Sequence, residues 1–273
     1  MLNIISYMGA KVRKFGECNK YSLLFFAFQV FFRTFAPKMI PKIIHLCWFS
    51  NDPYPVEIKV CLDSWKRVIP DYQVKVWGYD DAKAIGCAFI DEALEARQWA
   101  FAADAVRFYA VFQEGGVYMD SDIYLYKRFD EFMQTDGFTT FMTEEGESRT
   151  GLQAAFFMAS KGDGFCQQVW EYYKSHHFKN EDGTFNKTIS PIVMERIAKV
   201  FHFDMDNRET QLLRGLHVYP TAYLLPRKKY PRTDKTFAEH RIYGSWRRRK
   251  LGRLIDLKFS HFFHVIRYAL FKR

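Results

Sequence analysis

The feature that most constrains the fold is an alanine-rich segment that runs through two glycines straight into a short apolar stretch. In "ARQWAFAADAVRFYAVFQEGG" the side chains of Phe101, Ala105, Phe108 and Phe112 recur at three- and four-residue steps, which predicts an amphipathic helix. Gly115 stands where helices commonly end, and "VYM" follows at once as a predicted strand. A helix joined to a strand by so short a turn favours an α/β fold.

The segments on either side continue the alternation of strands and helices. The apolar run "KIIHLCW" predicts a buried strand, "PVEIKVCLDSWKRVI" has helical spacing, and "QVKVW" alternates like a strand. Downstream, "GFTTFMT" and "LQAAFFMAS" predict a strand pair, "GFCQQVWEYYKS" predicts a helix, and Ser190-Pro191 predicts a helix start. The fold class is therefore α/β, with parallel strands near the beginning of a main domain that starts near residue 39.

The net charge of +9 is concentrated at the two ends of the chain. Residues 241–273 contain ten Lys or Arg and one acidic residue, and residues 1–38 contain six and one, so residues 39–240 are net acidic. This distribution predicts a globular domain whose terminal extensions meet an anionic surface. The five cysteines are scattered and form no Cys-x-x-Cys or Cys/His cluster, which favours a reducing compartment over a disulfide framework or a zinc site.

Both terminal extensions also carry apolar side chains. Residues 247–273 show leucines and phenylalanines at helical spacing opposite basic residues, which predicts a basic amphipathic helix. Such a helix lies in a membrane interface or packs on its own domain, whereas a nucleic-acid-binding arm needs no phenylalanine-rich face. Within residues 1–38, "SLLFFAFQVFF" has about half of the ~20 residues that span a bilayer and predicts an interfacial or docking helix.

Two carboxylates, Asp120 and Asp122, come directly after the strand "VYM". Asp and Ser commonly form surface turns, so Asp-Ser-Asp alone predicts no more than a turn. At the end of a strand in an α/β sheet, however, two carboxylates on one side of an extended segment would suit Mg²⁺ or Mn²⁺. Asp104 and Arg107 lie one helical turn apart on the preceding helix, either as an exposed ion pair or as partners that converge on the aspartates.

The stretch "FAADAVRFYAVFQEGGVYMDSDIYLY" resembles the central signature of glycosyltransferase family 32 and of its relatives, the clostridial toxin glucosyltransferases. The resemblance extends to "IPKIIHLCWFS" and "SWKRVIPDYQVKVW" upstream and to "SPIVMERI" and "HRIYGSW" downstream, and covers roughly residues 39–246. It implies a GT-A fold with a mixed, mostly parallel central sheet. The predicted domains are thus an N-terminal extension (1–38), a GT-A glycosyltransferase domain (39–246) and a C-terminal amphipathic helix (247–273).

The resemblance also implies roles for individual residues. Trp48 would stack on the nucleobase, while Asp104 and Arg107 would hold the sugar and its diphosphate. Asp120 and Asp122 would bind the metal ion, with Asp120 also contacting ribose or sugar. The remaining implied site residues lie near the end of the domain, where His240, as a third metal ligand, or the adjacent Glu239 would close over the donor together with Ser245 and Trp246. The implied catalytic residues are Asp122, Arg107 and Asp120.

Three positions depart from the family pattern. Phe108 replaces a Tyr after the arginine, Ser190 stands where a Gly precedes Pro, and Gln153 stands about where relatives tend to have an Asn that faces the transferred sugar. The last difference bears on the donor sugar and on the geometry of the acceptor.

The function implied is transfer of a hexose, with retention, from a nucleotide diphosphate sugar to a hydroxyl of a glycan or lipid-linked oligosaccharide, as in surface or capsular polysaccharide synthesis. The expected cofactor is Mn²⁺ or Mg²⁺, the expected donor is a UDP-hexose rather than GDP-mannose, and nucleic acid is not expected as a partner. The basic ends predict a cytoplasmic enzyme that is peripheral on the inner face of the plasma membrane. The alternatives are a non-catalytic membrane adaptor with a degenerate domain, and an aspartate-nucleophile phosphatase. Tyr124 disfavours the phosphatase, because it stands where that motif wants Thr or Val.

Overall fold

A seven-stranded mixed sheet lies at the centre of the part of the chain that this computed structural model describes, which is residues 39–50, 52–133, 137–145, 149–226 and 231–242. The predicted terminal helices, Ser245 and Trp246 lie outside the described residues. The strands in chain order are β1 Ile43–Cys47, β2 Gln73–Trp77, β3 Gly116–Met119, β4 Ile123–Leu125, β5 Phe138–Glu145, β6 Arg149–Ala159, β7 Gln211–Leu213, β8 Leu216–Tyr219, β9 Leu224–Pro226 and β10 Ala238–His240.

The order of strands in the large sheet is β2-β1-β3-β6-β5-β8-β7. The pairs β1–β2, β1–β3 and β5–β8 are parallel, while β6 runs antiparallel to both β3 and β5, and β7 runs antiparallel to β8. All strands except β6 and β7 therefore run in one direction, as expected for a mixed, mostly parallel sheet. A smaller sheet, in the order β4-β10-β9, pairs the chain after the aspartates with the end of the described chain.

Helices pack against both faces of the large sheet. The α-helices that the structure describes are α1 Val56–Val68, α2 Tyr79–Lys83, α3 Ala88–Glu95, α4 Trp99–Glu114, α5 Gly164–Lys174 and α6 Ser190–Ala198. Short 3-10 turns cover Asp130–Met133 and Lys199–Phe201. These elements confirm the strands and helices predicted from the sequence between residues 39 and 200. Among the described helices, none is both long and apolar enough to cross a membrane.

The core consists of two apolar layers, one on each face of the sheet. Helices α3 to α6 cover one layer, in which Phe108 stacks on Phe157 with a centroid distance of 4.7 Å. Trp65 of α1 and the small sheet belong to the other layer, which receives Val117 and Met119 of β3. Alternate residues of β3 thus enter opposite layers, as the pleat of a strand requires. All four cysteines within the described residues are free, as the sequence predicted.

The turn between α4 and β3 requires glycine at two successive positions. Gly115 ends α4 with φ of 72°, and Gly116 begins β3 with φ of 112°. A Cβ atom on Gly116 would lie 2.5 Å from the carbonyl oxygen of Ile43, on the neighbouring strand β1. The two glycines therefore let α4 turn directly into the sheet and fix where β3 ends. Asp120 follows that end.

Candidate active site

The Asp-Ser-Asp sequence forms a tight turn after β3. The backbone N–H of Asp120 donates to Ala155 O (2.8 Å), which extends the pairing with β6, and the N–H of Ile123 donates to Asp120 O (3.0 Å), which closes the turn. The prediction of an extended segment is therefore wrong here, because the chain reverses to enter β4. The two carboxylates still approach each other, with side chains of which 29% (Asp120) and 14% (Asp122) is exposed.

His240 completes a cluster with these aspartates. Strand β10 pairs antiparallel with β4 and sets His240 opposite Ile123, and the Nε2 atom of His240 lies 3.3 Å from Oδ1 of Asp122. One ligand atom from each of Asp120, Asp122 and His240 lies within 4.8 Å of the other two. Two carboxylate oxygens and one imidazole nitrogen are a donor set that fits Mn²⁺, with Mg²⁺ favouring the oxygens alone. We refer to these three residues as the acidic triad.

Arg107 lies beneath the triad, and protein oxygens surround it. Its Nε–H donates to Ala103 O (3.0 Å) and its Nη1–H to Ala154 O (2.8 Å). Its Nη2 atom lies 3.1 Å from Oδ1 of Asp104 and 3.6 Å from Oδ1 of Asp120. The exposed fraction of the Arg107 side chain is 7%, so this guanidinium holds the carboxylates in place from below. The exposed intrahelical ion pair considered from the sequence is not what the structure shows.

Asp104 is held from the other side by the start of α6. The Ser190 hydroxyl donates to Asp104 Oδ1 (2.7 Å), and the Ser190 N–H donates to Asp104 Oδ2 (3.1 Å). A glycine at position 190 would supply only the second of these hydrogen bonds. The serine that departs from the family pattern therefore adds a direct contact to a residue implied in sugar binding.

Tyr118 is a site residue that our reasoning from the sequence did not single out. Its hydroxyl donates to Asp120 Oδ1 (2.6 Å), and its ring lies 4.7 Å from the guanidinium carbon of Arg107. The signal was present, because Tyr118 stands two residues before Asp120 and so points toward the same side of β3. The alternating pattern of a strand predicts a core residue at this position equally well, so the sequence alone does not mark Tyr118 as a site residue.

The charges of the cluster shift the pKa values of its members. Burial raises the pKa of Asp120; Arg107 opposes this effect and Asp122 reinforces it by repulsion, and the pKa lies above its ordinary value. Burial acts to lower the pKa of His240, but the neighbouring Asp122 and Asp120 outweigh it, so that pKa is raised. The His240 shift reflects the negative charge of the two aspartates, which a divalent cation would neutralise in competition with protons.

A cavity of about 530 Å³ opens at the carboxyl edge of the sheet, beside the ends of β1 and β2. This volume is in the range of small-molecule sites. Trp48 is not among the residues that line it: its ring packs on Tyr54 (4.7 Å between centroids) and its indole N–H donates to Asp52 O (3.0 Å). The lining residues come from the segment after β1, from α2 and α3, and from the start of α4: Phe49, Ser50, Asp52, Tyr79, Leu94, Glu95, Arg97 and Trp99.

Two further predicted residues lie close to the triad. Glu239 is buried, and its Oε2 atom accepts a hydrogen bond from the Tyr126 hydroxyl. It points away from His240, since neighbouring residues on β10 face opposite sides of the small sheet. Gln153 is buried on β6 with its Oε1 atom accepting from Ala155 N–H (3.3 Å), next to the carbonyl that pairs with Asp120.

Comparison with known protein families finds one match, in the region that contains the two aspartates. Residues 55–139 match the family model described as "Glycosyltransferase sugar-binding region containing DXD motif". This match confirms the predicted enzyme class, a glycosyltransferase. The matched region contains α4, both glycines and the turn that carries Asp120 and Asp122, so the recognised sequence and the clustered carboxylates coincide. No curated protein matches the chain.

Several solved glycosyltransferase structures resemble this glycosyltransferase at low identity. The PaToxG glycosyltransferase is 18% identical, with a TM-score of 0.45 over 66% of this chain and 77% of its own. The galactosyltransferase LgtC, solved with donor and acceptor sugar analogs, is 11% identical, with a TM-score of 0.44 over 80% of this chain and 94% of its own. A glycosyltransferase that acts in glycosylation of the major capsid of PBCV-1 is 13% identical, with a TM-score of 0.38 over 72% and 92%.

The resemblance to glycosyltransferase family 32 and the prediction of an enzyme are thus confirmed at the level of a DXD-type glycosyltransferase. The predicted α/β fold class, with a mixed, mostly parallel central sheet, is also confirmed. The aspartate-nucleophile phosphatase and the degenerate adaptor were the alternatives, and the family match favours neither of them.

Proposed function

We propose that this glycosyltransferase transfers a hexose from a UDP-sugar, in preference to GDP-mannose, to a hydroxyl of a glycan or lipid-linked acceptor, with retention at the anomeric carbon and with Mn²⁺ or Mg²⁺ as cofactor. The observation that carries the proposal is the acidic triad. Two aspartates from the matched region meet a histidine from a strand more than a hundred residues later.

The geometry of α4 supports a donor that spans the cavity and the triad. Trp99 begins α4 at the cavity, and Asp104 lies five residues further along the same helix, which is about 8 Å along its axis. This separation suits a nucleoside in the cavity with its sugar and diphosphate near Asp104 and the triad. We therefore propose that the base packs against Trp99 and Tyr79, with Trp48 at the edge of the base site and not as its principal stacking partner.

The chain's own residues would each have a distinct task in the reaction. Asp120, Asp122 and His240 would hold the metal ion, which when bound would neutralise charge on the diphosphate leaving group. Arg107 positions Asp104 and Asp120 from below and adds positive charge near the leaving group. Asp104 would accept hydrogen bonds from sugar hydroxyls in an orientation that Ser190 fixes.

For the bond changes, we propose attack on the face from which the diphosphate leaves. The acceptor oxygen forms a bond to the anomeric carbon, the bond from that carbon to the diphosphate breaks, and the acceptor proton passes to a diphosphate oxygen. No nucleophilic carboxylate is needed in this scheme. Trapping a covalent sugar–enzyme adduct during turnover would contradict it, and the anomeric configuration of the product, followed by NMR, tests retention directly.

The cellular setting is proposed from the sequence. A basic amphipathic helix over residues 247–273 would hold the enzyme on the inner face of the plasma membrane, where lipid-linked acceptors of surface polysaccharide synthesis are exposed. Deletion of residues 247–273 should shift the protein from the membrane fraction to the soluble fraction. An unchanged distribution would remove the support for a peripheral enzyme.

Nucleotide release from a panel of UDP- and GDP-hexoses with Mn²⁺ tests the proposed donor reaction. The wild type should release nucleotide from a UDP-hexose, and Asp122→Asn should reduce the rate at least about a hundredfold, as loss of a group that stabilises developing charge does. Asp182→Asn, in an exposed loop, is the matched control for loss of one carboxylate. Absence of release from every donor, or equal rates for Asp122→Asn and the control, would refute the proposal.

A further inference from the structure

A cluster of arginines and tyrosines lies next to the acidic triad, on the outward face of the small sheet. Antiparallel pairing of β4 with β10 puts Glu239 opposite Tyr124, so Tyr124, Tyr126 and Arg241 share the face opposite to the buried Ile123 and Leu125. We call this cluster the arginine–tyrosine surface, and its members are Arg67, Tyr124, Tyr126, Arg232 and Arg241.

Ring contacts hold the three guanidinium groups together. The guanidinium carbon of Arg241 lies 3.9 Å from the centroid of the Tyr124 ring, and that of Arg67 lies 5.8 Å from the same ring. The guanidinium carbon of Arg232 lies 4.4 Å from the centroid of Tyr126, and the two tyrosine rings are 5.0 Å apart. The Nη2–H of Arg67 donates to the Tyr124 hydroxyl (3.1 Å). Arginines that stack on aromatic rings can still direct their remaining N–H groups at a planar anion.

Among the described residues, the positive charge of this surface exceeds its negative charge. Within the described residues, no carboxylate forms an ion pair with Arg67, Arg232 or Arg241, whereas Arg107 and Arg128 are both paired with aspartates. The Nε atom of Arg241 is buried and has no hydrogen-bond partner in the described part of the chain. The one buried carboxylate on this face, Glu239, accepts from the Tyr126 hydroxyl. Three guanidiniums thus face one carboxylate that is already hydrogen-bonded.

The position of the surface fits the acceptor and not the donor. Tyr124 and Tyr126 follow Asp122 by two and four residues, which places them at most about 7 and 14 Å from it along the chain. The cavity for the donor lies instead beside α2, α3 and the start of α4. The surface and the cavity are thus built from different elements, which leaves the surface to the acceptor and not to the nucleoside.

We infer that the arginine–tyrosine surface binds an anionic acceptor, namely a sugar that carries a phosphate ester close to the hydroxyl that is glycosylated. Guanidinium groups recognise phosphate through paired, charge-assisted hydrogen bonds, and tyrosine rings pack against the C–H face of a sugar. The phosphate can belong to a lipid diphosphate or to the glycan itself; the two share this chemistry. The inference rests on the proposed transferase function and names its substrate class.

The test compares three acceptors that present the same sugar: a short-chain prenyl diphosphate sugar, a lipid-free sugar phosphodiester, and a neutral alkyl glycoside. The wild type should use at least one phosphate-bearing acceptor with a kcat/KM about tenfold or more above that of the neutral glycoside, the effect of one charge-assisted hydrogen bond or more. Preference for the prenyl compound alone would assign the phosphate to a lipid carrier, and preference for both would assign it to the sugar phosphate as such. Either result supports the inference.

Variants then connect the preference to the surface. Arg67→Ala combined with Arg232→Ala changes two exposed residues and should abolish most of the preference, chiefly by raising KM for the phosphate-bearing acceptor. Arg214→Ala, in the exposed β7–β8 turn, removes one positive charge elsewhere and should keep the preference. Equal use of all three acceptors by the wild type, or an equal loss with charged and neutral acceptors in the double variant, would overturn the inference.

Nucleotide release without acceptor separates this inference from the proposed function. If the wild type releases nucleotide in an Asp122-dependent manner but shows no acceptor preference, only the acceptor inference fails. If no donor is cleaved under any condition, the proposed transferase reaction itself fails.

Discussion

Replacing Gly116 by alanine is the perturbation whose cost the structure defines most clearly. Gly116 has φ of 112°, and an added Cβ would lie 2.5 Å from Ile43 O and 3.3 Å from Nε2 of His45. Both atoms belong to β1, which pairs with β3 through Ile44 and His45. The contact with a backbone carbonyl cannot be relieved by a side-chain rotation, so β1 and β3 must move apart.

The expected magnitude follows from two contributions. Holding an alanine in a backbone region that favours glycine costs about 1–3 kcal/mol, and forcing an extra carbon into a packed region costs about 1–3 kcal/mol. Reduced freedom of the unfolded chain returns about 0.4–1 kcal/mol. We therefore expect Gly116→Ala to lower the free energy of unfolding by about 2–5 kcal/mol.

Gly86→Ala is the matched control, because Gly86 also has positive φ (68°) but has no atom within 4 Å of an added Cβ. It should lower the free energy of unfolding by only about 1 kcal/mol, the cost of the left-handed conformation. Urea unfolding at 25 °C, followed by circular dichroism and tryptophan fluorescence, measures both values. Equal losses in the two variants would refute the argument that the close approach of β1 and β3 fixes the end of β3.

The remaining predictions concern the site and the behaviour in acid. Tyr118→Phe removes the hydroxyl that donates to Asp120 and should weaken Mn²⁺ binding about tenfold in titration calorimetry, as loss of an outer-shell partner does; unaltered affinity would contradict this. Asp104→Asn removes one of the carboxylates that pair with the buried Arg107, and should lower the free energy of unfolding by about 3 kcal/mol in urea unfolding. An unchanged free energy of unfolding would show that the ion pair of Asp104 with Arg107 is not stabilising. Hydrogen bonds from Arg128, with those from a neighbouring lysine, hold the pKa of Asp71 below its usual range. The stability this gives is present above the unfolded pKa of about 3.9 and is lost as the pH falls through the depressed value, so the gap in urea midpoint between wild type and Arg128→Gln should narrow below about pH 4; a gap that widens in acid would refute it.

Much of the fold between residues 39 and 200 follows from local sequence. The period of the apolar residues and the turn residues are sufficient to predict β1, α1, β2 and α4, because each is a single amphipathic or apolar run with a glycine or proline close to one end. The short strands β4, β9 and β10 were not predicted. Each of these strands is only three residues long, which is too short to show a pattern of alternating apolar residues. The strands form because they pair with one another across a large separation in sequence.

The candidate site divides in the same way. The spacing of four charged residues predicted that their side chains converge, and the structure brings them together: Asp104, Arg107, Asp120 and Asp122. The same reasoning assumed an extended segment where the chain makes a turn. Trp48 was assigned to the nucleobase by resemblance, yet the cavity beside it is lined by Phe49 and Trp99. Which aromatic ring faces a cavity depends on side-chain packing, which one sequence does not disclose.

The sequence by itself predicted an α/β fold and, through its resemblance to known enzymes, a glycosyltransferase, because periodicity, turn residues and motif are all local properties of the chain. Tertiary structure decided which groups meet. It places Nε2 of His240 3.3 Å from Oδ1 of Asp122, and it lets the Ser190 hydroxyl donate to Asp104. It also brings three arginines into contact with the rings of Tyr124 and Tyr126. These contacts join residues far apart in the chain, and their distances arise only when strands pair and helices pack, since no local spacing encodes them.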